Sequence, residues 1–404
     1  MANISGNHLI AKTLKEEGVD TLFYLTGGPS FDIVMSCQDL GIRTLDFRHE
    51  QAAAFAAHAY SRVTGKTGVV TASSGPGTLN LLTGVYAASI DCAPMLILGG
   101  ASSVHEIGRN TFQEVDQVSI MQPLCKYFHR PTKASRYPEI VSTAYRQSQS
   151  GRPGPVYVDC GGDVLYEEVD TADLVPASRA QTRTPPATDE TTIEKIIDMI
   201  AAADRPMIFA GGGAFFSGAA GPLNRFVDIT NVPFFTSPMS RGLIAEDHVV
   251  CFPAARSTAM KEADLVLVVG TRINWMLNFG KRFSPDAHII QIDIEESELG
   301  HNLDIELGVV GDAATVVRQL AAAAALRASD FSDALESEWI RKLDETNMSR
   351  LVNSAAKHDS DQVPIHPLRL CKEIREFLDR DAIVVVDGNE ILHFARQSIP
   401  TYYP

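Results

Sequence analysis

Short apolar runs alternate with amphipathic stretches along the first hundred residues. Leu9, Ile10 and Leu14 recur at the spacing of a helical face, and Gly18 follows where such a helix would end. An Ala-rich segment at 51–64 predicts a second helix. Runs rich in apolar and β-branched residues predict strands at 21–26, 43–47, 67–72 and 94–99. This alternation indicates a parallel sheet with helices on both of its faces.

A second α/β pattern follows a polar segment. Residues 169–190 are poor in large apolar side chains and contain the run Arg183-Thr184-Pro185-Pro186, which is typical of a linker. Residues 191–350 then predict a second, Rossmann-like domain with a charged helical region at 329–353. Its buried strands are predicted at 206–210, 265–270 and 288–294.

A third unit begins after a second polar linker at 351–364. Residues 365–404 predict a helix at 366–378, a strand at 382–387 and another helix that opens at 388–390. One strand and two helices cannot bury a core of their own, so we expect this third domain to be incomplete. The predicted fold class is therefore α/β, with successive doubly wound parallel-sheet domains, the first of which covers residues 1–168.

Composition and charge exclude several classes of protein. The net charge of -15 and the absence of a Lys/Arg-rich run argue against nucleic-acid binding. No apolar run approaches the length of a membrane span, and the N-terminus lacks the pattern of a signal peptide. The 6 cysteines include no CxxC pair, which argues against a zinc site. Scattered thiols favour a reducing compartment, so we expect a cytoplasmic protein.

Four short segments of the first domain carry candidate chemistry. They are Arg48-His49-Glu50, 73–77 (Ser-Ser-Gly-Pro-Gly), Phe112-Gln113-Glu114 and 151–155 (Gly-Arg-Pro-Gly-Pro). The first two lie where a predicted strand leads into a helix, which is where ligands bind in open α/β sheets. Each segment also has a structural interpretation, because first-turn acids and glycine-rich helix starts are common.

Taken together with Gly27-Gly28, these segments resemble the pyrimidine-binding domain of thiamine-diphosphate enzymes. Acetolactate synthases, oxalyl-CoA decarboxylases and 2-hydroxyacyl-CoA lyases share this domain. The order and spacing of the set are far more specific than any single member, and the resemblance extends over essentially all 404 residues.

The resemblance implies roles for these residues. Thiamine diphosphate works through a carbanion at its C2 atom, and the family uses a glutamate on the aminopyrimidine ring to promote its formation. Glu50 takes that position here, and Gln113 and Phe112 would contact the substrate. His49 is a candidate catalytic residue, with a hydrogen-bonded histidine at a helix start as the alternative. Further cofactor contacts are predicted for Gly27, Gly28, Ser74, Gly75, Pro76 and Asn80.

The central domain indicates the subfamily. This domain binds FAD in acetolactate synthases and the ADP part of coenzyme A in the lyases and in oxalyl-CoA decarboxylases. Residues 271–280 (Thr-Arg-Ile-Asn-Trp-Met-Leu-Asn-Phe-Gly) resemble a segment of 2-hydroxyacyl-CoA lyases, which favours an acyl-CoA substrate. Gly211-Gly212-Gly213 is weak support for a dinucleotide site, because Phe216 replaces the third glycine of that motif.

Contacts to coenzyme A follow from the same resemblance. Asp293 would contact a ribose or adenine edge, with a strand-end turn residue as the equally weighted alternative. Basic residues for the phosphates include Arg152, Arg272 and Lys281, without a ranking. The predicted substrate-binding set is completed by Phe112, Gln113, Gly212, Gly213, Asn274 and Asp312.

The family holds the cofactor diphosphate and Mg²⁺ in its third domain, with a Gly-Asp-Gly motif followed by an asparagine. That motif does not occur in this sequence, although Asn389 and Glu390 match an earlier diphosphate-contacting loop. We therefore expect the Mg²⁺ ligands beyond residue 404 and predict no metal ligand within the chain.

The leading hypothesis is a lyase that cleaves a 2-hydroxyacyl-CoA into formyl-CoA and an aldehyde or ketone, and that can also catalyse the reverse condensation. Family members place the pyrimidine domain of one subunit against the diphosphate domain of another, so a homodimer or homotetramer is expected. One alternative keeps the cofactor, as an acetolactate synthase or a decarboxylase of 2-oxoacids or oxalyl-CoA. The other is an inactive nucleotide-binding fragment or regulatory homologue.

Overall fold

The computed structural model describes residues 3–178 and 184–404. These form two compact units, which span Met1–Arg183 and Thr184–Pro404. Residues 179–183 of the predicted linker, including the start of its Arg-Thr-Pro-Pro run, lie outside the described residues.

The first unit is built on a sheet of six parallel strands in the order β3-β2-β4-β5-β7-β6. A separate antiparallel pair, β1 with β8, includes residues 169 and 170, so the start of the predicted linker is held by this unit. The strands are β1 Asn3–Ser5, β2 Thr21–Tyr24, β3 Arg43–Asp46, β4 Gly68–Ala72, β5 Met95–Ala101, β6 Tyr127–His129, β7 Pro155–Gly161 and β8 Glu168–Asp170.

Helices cover both faces of this sheet. The helices are α1 Gly6–Glu16, α2 Phe31–Asp39, α3 Glu50–Thr64, α4 Pro76–Asn80, α5 Leu82–Asp91, α6 Gln117–Met121, α7 Tyr137–Gln149 and α8 Gly162–Tyr166. Helices α1, α2 and α7 pack together in one layer, and α3 packs against α5 in another. The alanines of α3 allow this close approach, since a Cβ added at Gly84 of α5 would lie 2.5 Å from the Ala54 Cβ.

The predicted apolar face of the first helix forms part of the core. Leu9, Ile10 and Leu14 are buried against α2, α7 and one face of the sheet. Burial of such side chains stabilises the fold by about 1.5–3 kcal/mol each. The sequence spacing therefore identified both the helix and the side that it buries.

The second unit contains a five-stranded parallel sheet in the order β10-β9-β11-β12-β13. Its strands are β9 Pro206–Ala210, β10 Phe234–Thr236, β11 Leu265–Val269, β12 His288–Asp293 and β13 Leu307–Val310. The interior strand β11 is buried at every position, as expected for a parallel strand covered on both faces. The predicted class of doubly wound α/β domains is confirmed for both sheets.

Eight helices complete the second unit in the described part of the chain. They are α9 Glu190–Ala202, α10 Gly212–Phe216, α11 Ala220–Thr230, α12 Arg256–Glu262, α13 Ala313–Leu326, α14 Glu338–His358, α15 Pro367–Phe377 and α16 Glu390–Ser398. Helix α14 continues into the segment 351–364 that the sequence predicts as a linker. No helix in residues 3–178 or 184–404 is long and apolar enough to cross a membrane.

The predicted third unit differs from the structure in one element. Helices α15 and α16 form near the predicted positions and pack against each other and against α14. The strand predicted at 382–387 is wrong, because these residues have no regular secondary structure. Ile383 and Val385 are 92% and 88% exposed. An isolated apolar run has no neighbouring strand to satisfy its backbone hydrogen bonds.

Candidate active site

Loops from several strands meet at the carboxyl edge of the first sheet. The strand register places Ala72 beside Gly99, and Ala101 beside Gly161. A Cβ added at Gly100 would lie 3.3 Å from both Pro29 Cγ and the Ser74 backbone nitrogen. The loops after β2 and β4 therefore contact the end of β5, which places the predicted segments 27–28 and 73–77 in one region.

Glu50 lies at this edge as the first residue of α3. Its Oε2 accepts a hydrogen bond of 3.0 Å from Asn80 Nδ2, and its side chain is half-buried. Its Oε1 lies 3.4 Å from where a Cβ on Gly77 would be. The amino end of a 15-residue helix favours a negative charge. The structure thus brings together Glu50, Asn80 and the 73–77 loop.

Gly27 and Gly28 lie against the same loop. A Cβ on Gly27 would be 2.7 Å from Ser73 Cβ, closer than real Cβ contacts come. Ser73 Cβ is also 3.1 Å from the position of a Cβ on Gly77. The glycines therefore allow the two loops to pack together next to Glu50.

Gln113 reaches this edge from the long loop after β5. Its Oε1 accepts a hydrogen bond of 2.9 Å from Ser74 Oγ. With its oxygen held in this way, the amide Nε2 keeps its donors for another acceptor. The Gln113 backbone lies in the left-handed region at φ 56, and its carbonyl oxygen would be 2.5 Å from a Cβ on Gly75. Phe112 beside it is 82% exposed.

His49 has a structural role that the sequence left open. Its Nδ1 accepts a hydrogen bond of 3.1 Å from the Gln51 backbone nitrogen and so caps α3. Accepting at Nδ1 places the proton of a neutral imidazole on Nε2. The structure therefore shows a hydrogen-bonded histidine at a helix start, and the catalytic role of His49 stays a prediction.

Arg152 is not brought to this site. It lies just before β7, and its Nε is 3.1 Å from Cys92 Sγ, just before β5. Both positions are at the amino edge of the sheet, opposite the loops that carry Glu50 and Gln113. The predicted substrate-binding role is therefore not supported by its position, because parallel strands send their two ends to opposite edges.

Behind the site lies a buried polar network that the sequence analysis missed. Gln117 Oε1 accepts a hydrogen bond of 2.6 Å from the Gly75 backbone nitrogen. Gln117 Nε2 donates to the fully buried Asp159, which pairs with Arg130 Nε at 2.5 Å. The Tyr157 hydroxyl donates to the same carboxylate, and burial raises its pKa well above the ordinary value. The available signal was a single aspartate within the otherwise apolar strand 155–161.

Glycines at the carboxyl edge of the second sheet pack against each other. The Gly213 backbone nitrogen donates a hydrogen bond of 2.9 Å to the Gly270 oxygen. A Cβ added at Gly213 would lie 2.8 Å from Gly270 Cα, and one at Gly211 would lie 2.1 Å from Thr271 Oγ1. A Cβ on Gly212 has only an ordinary contact of 3.6 Å, with Met239. Packing therefore explains the absence of a side chain at Gly211 and Gly213.

Three polar residues predicted to bind coenzyme A form local backbone caps. Asn274 Oδ1 accepts from the Met276 backbone nitrogen at 3.0 Å, and Asp312 caps α13 through the Thr315 nitrogen at 2.9 Å. Asp293 Oδ1 accepts from the Glu295 nitrogen at 3.0 Å, as the turn interpretation expects. Arg272, two residues before Asn274, is half-buried.

A cluster of arginines in the second unit was also missed. Burial, followed by the charges of Arg396 and Arg282, lowers the pKa of Arg256 to about 10. The Arg256 guanidinium stacks over the Phe209 ring at 5.0 Å, and its buried Nε has no hydrogen-bond partner among the described residues. These three side chains lie far apart in sequence, so no local motif reveals them. Arg396 also lies near Arg241, which pairs with the Glu246 carboxylate at 2.5 Å, so the cluster carries an excess of positive charge.

Asn389 and Glu390 stand at the exposed start of α16. No group of three or more His, Cys, Asp or Glu residues that could hold a metal ion occurs in the described ranges 3–178 and 184–404. A carboxylate and a glutamine amide at the carboxyl edge of a doubly wound sheet are typical of a cofactor-dependent α/β enzyme.

Comparison with known proteins identifies the family. The model of the thiamine pyrophosphate enzyme N-terminal TPP binding domain matches residues 4–120, and that of the central domain matches residues 193–320. 2-Hydroxyacyl-CoA lyase 1 of Homo sapiens is 31% identical over 99% of this chain and 69% of its own length. The chain belongs to the thiamine pyrophosphate enzymes, whose cofactor is also called thiamine diphosphate.

Relatives with other activities are as similar. Acetolactate synthase large subunit of Mycobacterium tuberculosis is 32% identical over 98% of this chain and 71% of its own length. Oxalyl-CoA decarboxylase of Escherichia coli is 32% identical over 99% of this chain and 71% of its own length. Identity at this level supports a thiamine-pyrophosphate-dependent lyase or decarboxylase and leaves the substrate to be argued from the residues.

Proposed function

We propose that the protein is a thiamine-pyrophosphate-dependent carbon–carbon lyase that cleaves a 2-hydroxyacyl-CoA into formyl-CoA and an aldehyde or ketone. The observation that carries this proposal is the pairing of the half-buried Glu50 with the glycine-lined loops at one sheet edge. The names of the lyase relatives and the segment 271–280 support the acyl-CoA part.

The residues at this edge fit the pyrimidine end of the cofactor. Gly77 leaves the space beside Glu50 Oε1 without a side chain, and Asn80 holds the other carboxylate oxygen. When bound, thiamine pyrophosphate supplies a carbon nucleophile that attacks carbonyl groups. Glu50 would share a proton with a ring nitrogen of the aminopyrimidine, which a half-buried carboxylate can do because few other donors compete for it.

Gln113 is the residue best placed to bind the substrate. Ser74 Oγ occupies its amide oxygen, so the Nε2 donors remain for an oxygen of the acyl substrate. The exposed Phe112 next to it offers an apolar surface for the rest of the acyl group. In this arrangement Gln113 orients the substrate and Glu50 handles the proton, so the two functions are separated.

The arginine cluster of the second unit supports a phosphate-bearing substrate. Arg256, Arg282 and Arg396 bring three positive charges together, and the buried Arg256 Nε has an unused donor. A phosphate group that reaches these guanidinium groups would offset the repulsion within the cluster. We propose these arginines, with Arg272, as the contacts to the coenzyme A phosphates. Mg²⁺ would be held by groups other than the described residues.

We propose that the protein self-associates through an apolar face on α3 and α5. The two helices pack against each other, and their outer surfaces expose six apolar side chains spaced three or four residues apart within each helix. These are Ala52, Phe55, Ala59, Val63, Tyr86 and Ile90. The face begins one turn from Glu50, so a second subunit there would cover the proposed site. Val63→Glu should shift the protein to monomer in light scattering, whereas Val249→Glu, at another exposed valine, should not.

The test of the activity is direct. Purified protein is incubated with a 2-hydroxyacyl-CoA, thiamine pyrophosphate and Mg²⁺, and formyl-CoA is measured by mass spectrometry. Formation of formyl-CoA that depends on the cofactor supports the proposal. Turnover of free pyruvate, with none of any acyl-CoA, would overturn the substrate assignment.

An acetolactate synthase is the second candidate, because probable acetolactate synthases are 32–34% identical to the chain. FAD also carries phosphates, so the arginine cluster accommodates either ligand. Bound FAD in the purified protein together with acetolactate formation would favour this candidate. Release of CO₂ from oxalyl-CoA would instead favour an oxalyl-CoA decarboxylase.

A further inference from the structure

A chain of buried polar groups crosses the first sheet directly behind the proposed site. It begins at Arg130, which follows β6 and has a side chain that is 26% exposed. It continues through the fully buried Asp159 on β7. Gln117, on α6, joins this carboxylate to the 73–77 loop. These hydrogen-bonded groups therefore connect the partly exposed Arg130 with the loop that lies against Glu50.

Gln117 is the member through which this connection passes. It is 1% exposed, and both ends of its amide are used. Its Oε1 accepts from the Gly75 nitrogen at 2.6 Å. Its Nε2 lies 2.8 Å from Asp159 Oδ1 and 3.0 Å from the Gly100 oxygen. The acceptors facing Nε2 set the orientation of the amide, because a flipped amide would place its oxygen against a carboxylate.

Gln117 holds the backbone of Gly75, which has an unusual conformation. Gly75 has φ 57 and ψ -115, a conformation that residues with a side chain rarely adopt. Its neighbour Ser74 donates to Gln113 Oε1, and the Gln113 carbonyl packs against Gly75. A change in Gly75 would therefore move Ser74, and with it the amide that we propose for substrate binding.

Stability alone is a weak reason for such a network. A buried carboxylate and a buried amide are costly unless every group is satisfied, and well-packed apolar residues of similar size often stabilise a core as well. The network, however, ends on the backbone of the 73–77 loop, which belongs to the proposed site. This favours a role in the geometry of the site.

We propose that Gln117 is a positioning residue, which uses the Asp159–Arg130 ion pair as an anchor to fix the Ser74–Gly75 backbone and thereby the Gln113 amide. This proposal rests on the proposed function, which assigns the 73–77 loop to the cofactor and Gln113 to the substrate. Gln117 itself would touch neither ligand.

Two variants of Gln117 separate positioning from packing. Gln117→Met keeps the volume and removes both hydrogen-bonding ends, and we expect kcat to fall about 10-fold or more, since a buried group is left unsatisfied. Gln117→Glu keeps the acceptor for Gly75 but places a carboxylate against Asp159 and the Gly100 carbonyl. Its activity relative to wild type should recover as the pH is lowered, because a protonated carboxyl regains the donor. The titratable groups that face the side chain at position 117 are Asp159 and Tyr157, and Arg130 lies beyond them.

The matched control is Gln319→Met. Gln319 also pins a loop with both ends of its amide, through the Thr188 nitrogen at 3.3 Å and the Thr188 oxygen at 2.9 Å, but in the second unit. It should lower the melting temperature without changing kcat or the pH profile. Should Gln117→Met fail to fold, Gln117→Glu and Arg130→Met carry the same test.

Titration of thiamine pyrophosphate, followed by protein fluorescence, gives a readout besides turnover. We expect binding to weaken about 5-fold in Gln117→Met and to stay within about 2-fold of wild type in Gln319→Met. Wild-type kcat, KM and cofactor affinity in Gln117→Met, at a lowered melting temperature, would overturn the proposal. If wild-type protein turns over no acyl-CoA, the proposed function fails, and the titration still decides whether Gln117 positions the loop.

Discussion

Both parallel sheets end in glycine-containing loops that lead into short helices, α4 in the first unit and α10 in the second. In the first unit, the glycines lie against candidate site residues, with Gly77 beside the Glu50 carboxylate and Gly75 beside the Gln113 carbonyl. In the second unit, Gly213 packs and hydrogen bonds to the Gly270 backbone. The glycines of the first unit thus bring loops together around Glu50 and Gln113, whereas those of the second unit close a gap between two backbone segments.

The contrast extends to the polar residues at the two edges. Glu50 and Gln113 each have one oxygen held by a side chain from another element, Asn80 and Ser74. Polar residues of the second edge, such as Asn274 and Asp312, instead cap backbone groups within two or three positions. Side chains held by distant partners can be oriented toward a ligand, whereas local caps primarily stabilise turns. We therefore propose that the first unit carries the chemistry and that the second contributes to substrate binding.

Replacing Glu50 should produce the largest effect. Glu50→Gln keeps the shape and the contact with Asn80 but cannot take up a proton, so turnover should fall about 100-fold or more. Affinity of the second unit for coenzyme A should stay unchanged, as measured by calorimetry. Asn80→Ala, which removes only the partner, should cost less. Near-wild-type turnover of Glu50→Gln would contradict the proposal that Glu50 of the first unit carries out the proton transfer.

Loss of the Arg256 guanidinium should have the next largest effect. Arg256→Met should weaken coenzyme A binding about 10-fold or more, because a buried, charge-assisted hydrogen bond to phosphate is lost. Turnover at saturating substrate should change little. Arg152→Met is the matched control and should leave affinity unaltered. An equal loss of coenzyme A affinity in Arg256→Met and Arg152→Met would contradict a specific phosphate contact at Arg256.

Adding a methyl group to the glycines of the second edge should separate packing from binding. Gly213→Ala should lower the free energy of unfolding by about 1–3 kcal/mol, because its Cβ would meet the Gly270 backbone. Gly212→Ala, with an ordinary contact of 3.6 Å, should be tolerated in chemical denaturation. If Gly212→Ala nevertheless weakens nucleotide binding, this edge also provides space for a ligand, and the contrast with the first unit is reduced.

The smallest effect is expected at the far end of α3. Hydrogen bonds from Lys66 and then Tyr60 lower the pKa of Asp20 to about 2. A lowered folded-state pKa contributes stability above its ordinary value of 3.8, and this is lost as the pH falls toward 2. Asp20→Asn should therefore lower the melting temperature at pH 7 by at most about 2–4 °C. The difference in melting temperature between Asp20→Asn and wild type should disappear near pH 2. The substitution should not change turnover at the first-unit site.

Sequence reasoning succeeded where the signal was local and repeated. The periodicity of Leu9, Ile10 and Leu14 identified a buried helical face, and the predicted strand at 206–210 matches β9. It failed for the strand at 382–387, where a run of apolar residues has no neighbour to pair with. Apolar character alone cannot tell whether a partner strand exists.

The site divides in the same way. Glu50, Gln113 and the 73–77 loop were named from motifs, and the structure brings them together. The roles of Gln117 and Asp159 were missed because a buried network is defined by partners about 40 residues apart in sequence. The Arg256 cluster was missed for the same reason. The position of Arg152 at the amino edge was not foreseen, because a motif states that residues are neighbours in sequence and does not say which edge of the sheet they reach.

The sequence by itself determined most of the strands and helices in their order along the chain, the cofactor family and the candidate site residues Glu50 and Gln113, because periodicity and short motifs depend on neighbouring positions. Only the tertiary structure decided which glycines pack against other segments, which polar groups are caps, and which charges converge. Those properties depend on the distances between segments that chain order does not specify, and the burial of each group is set by what the fold places around it.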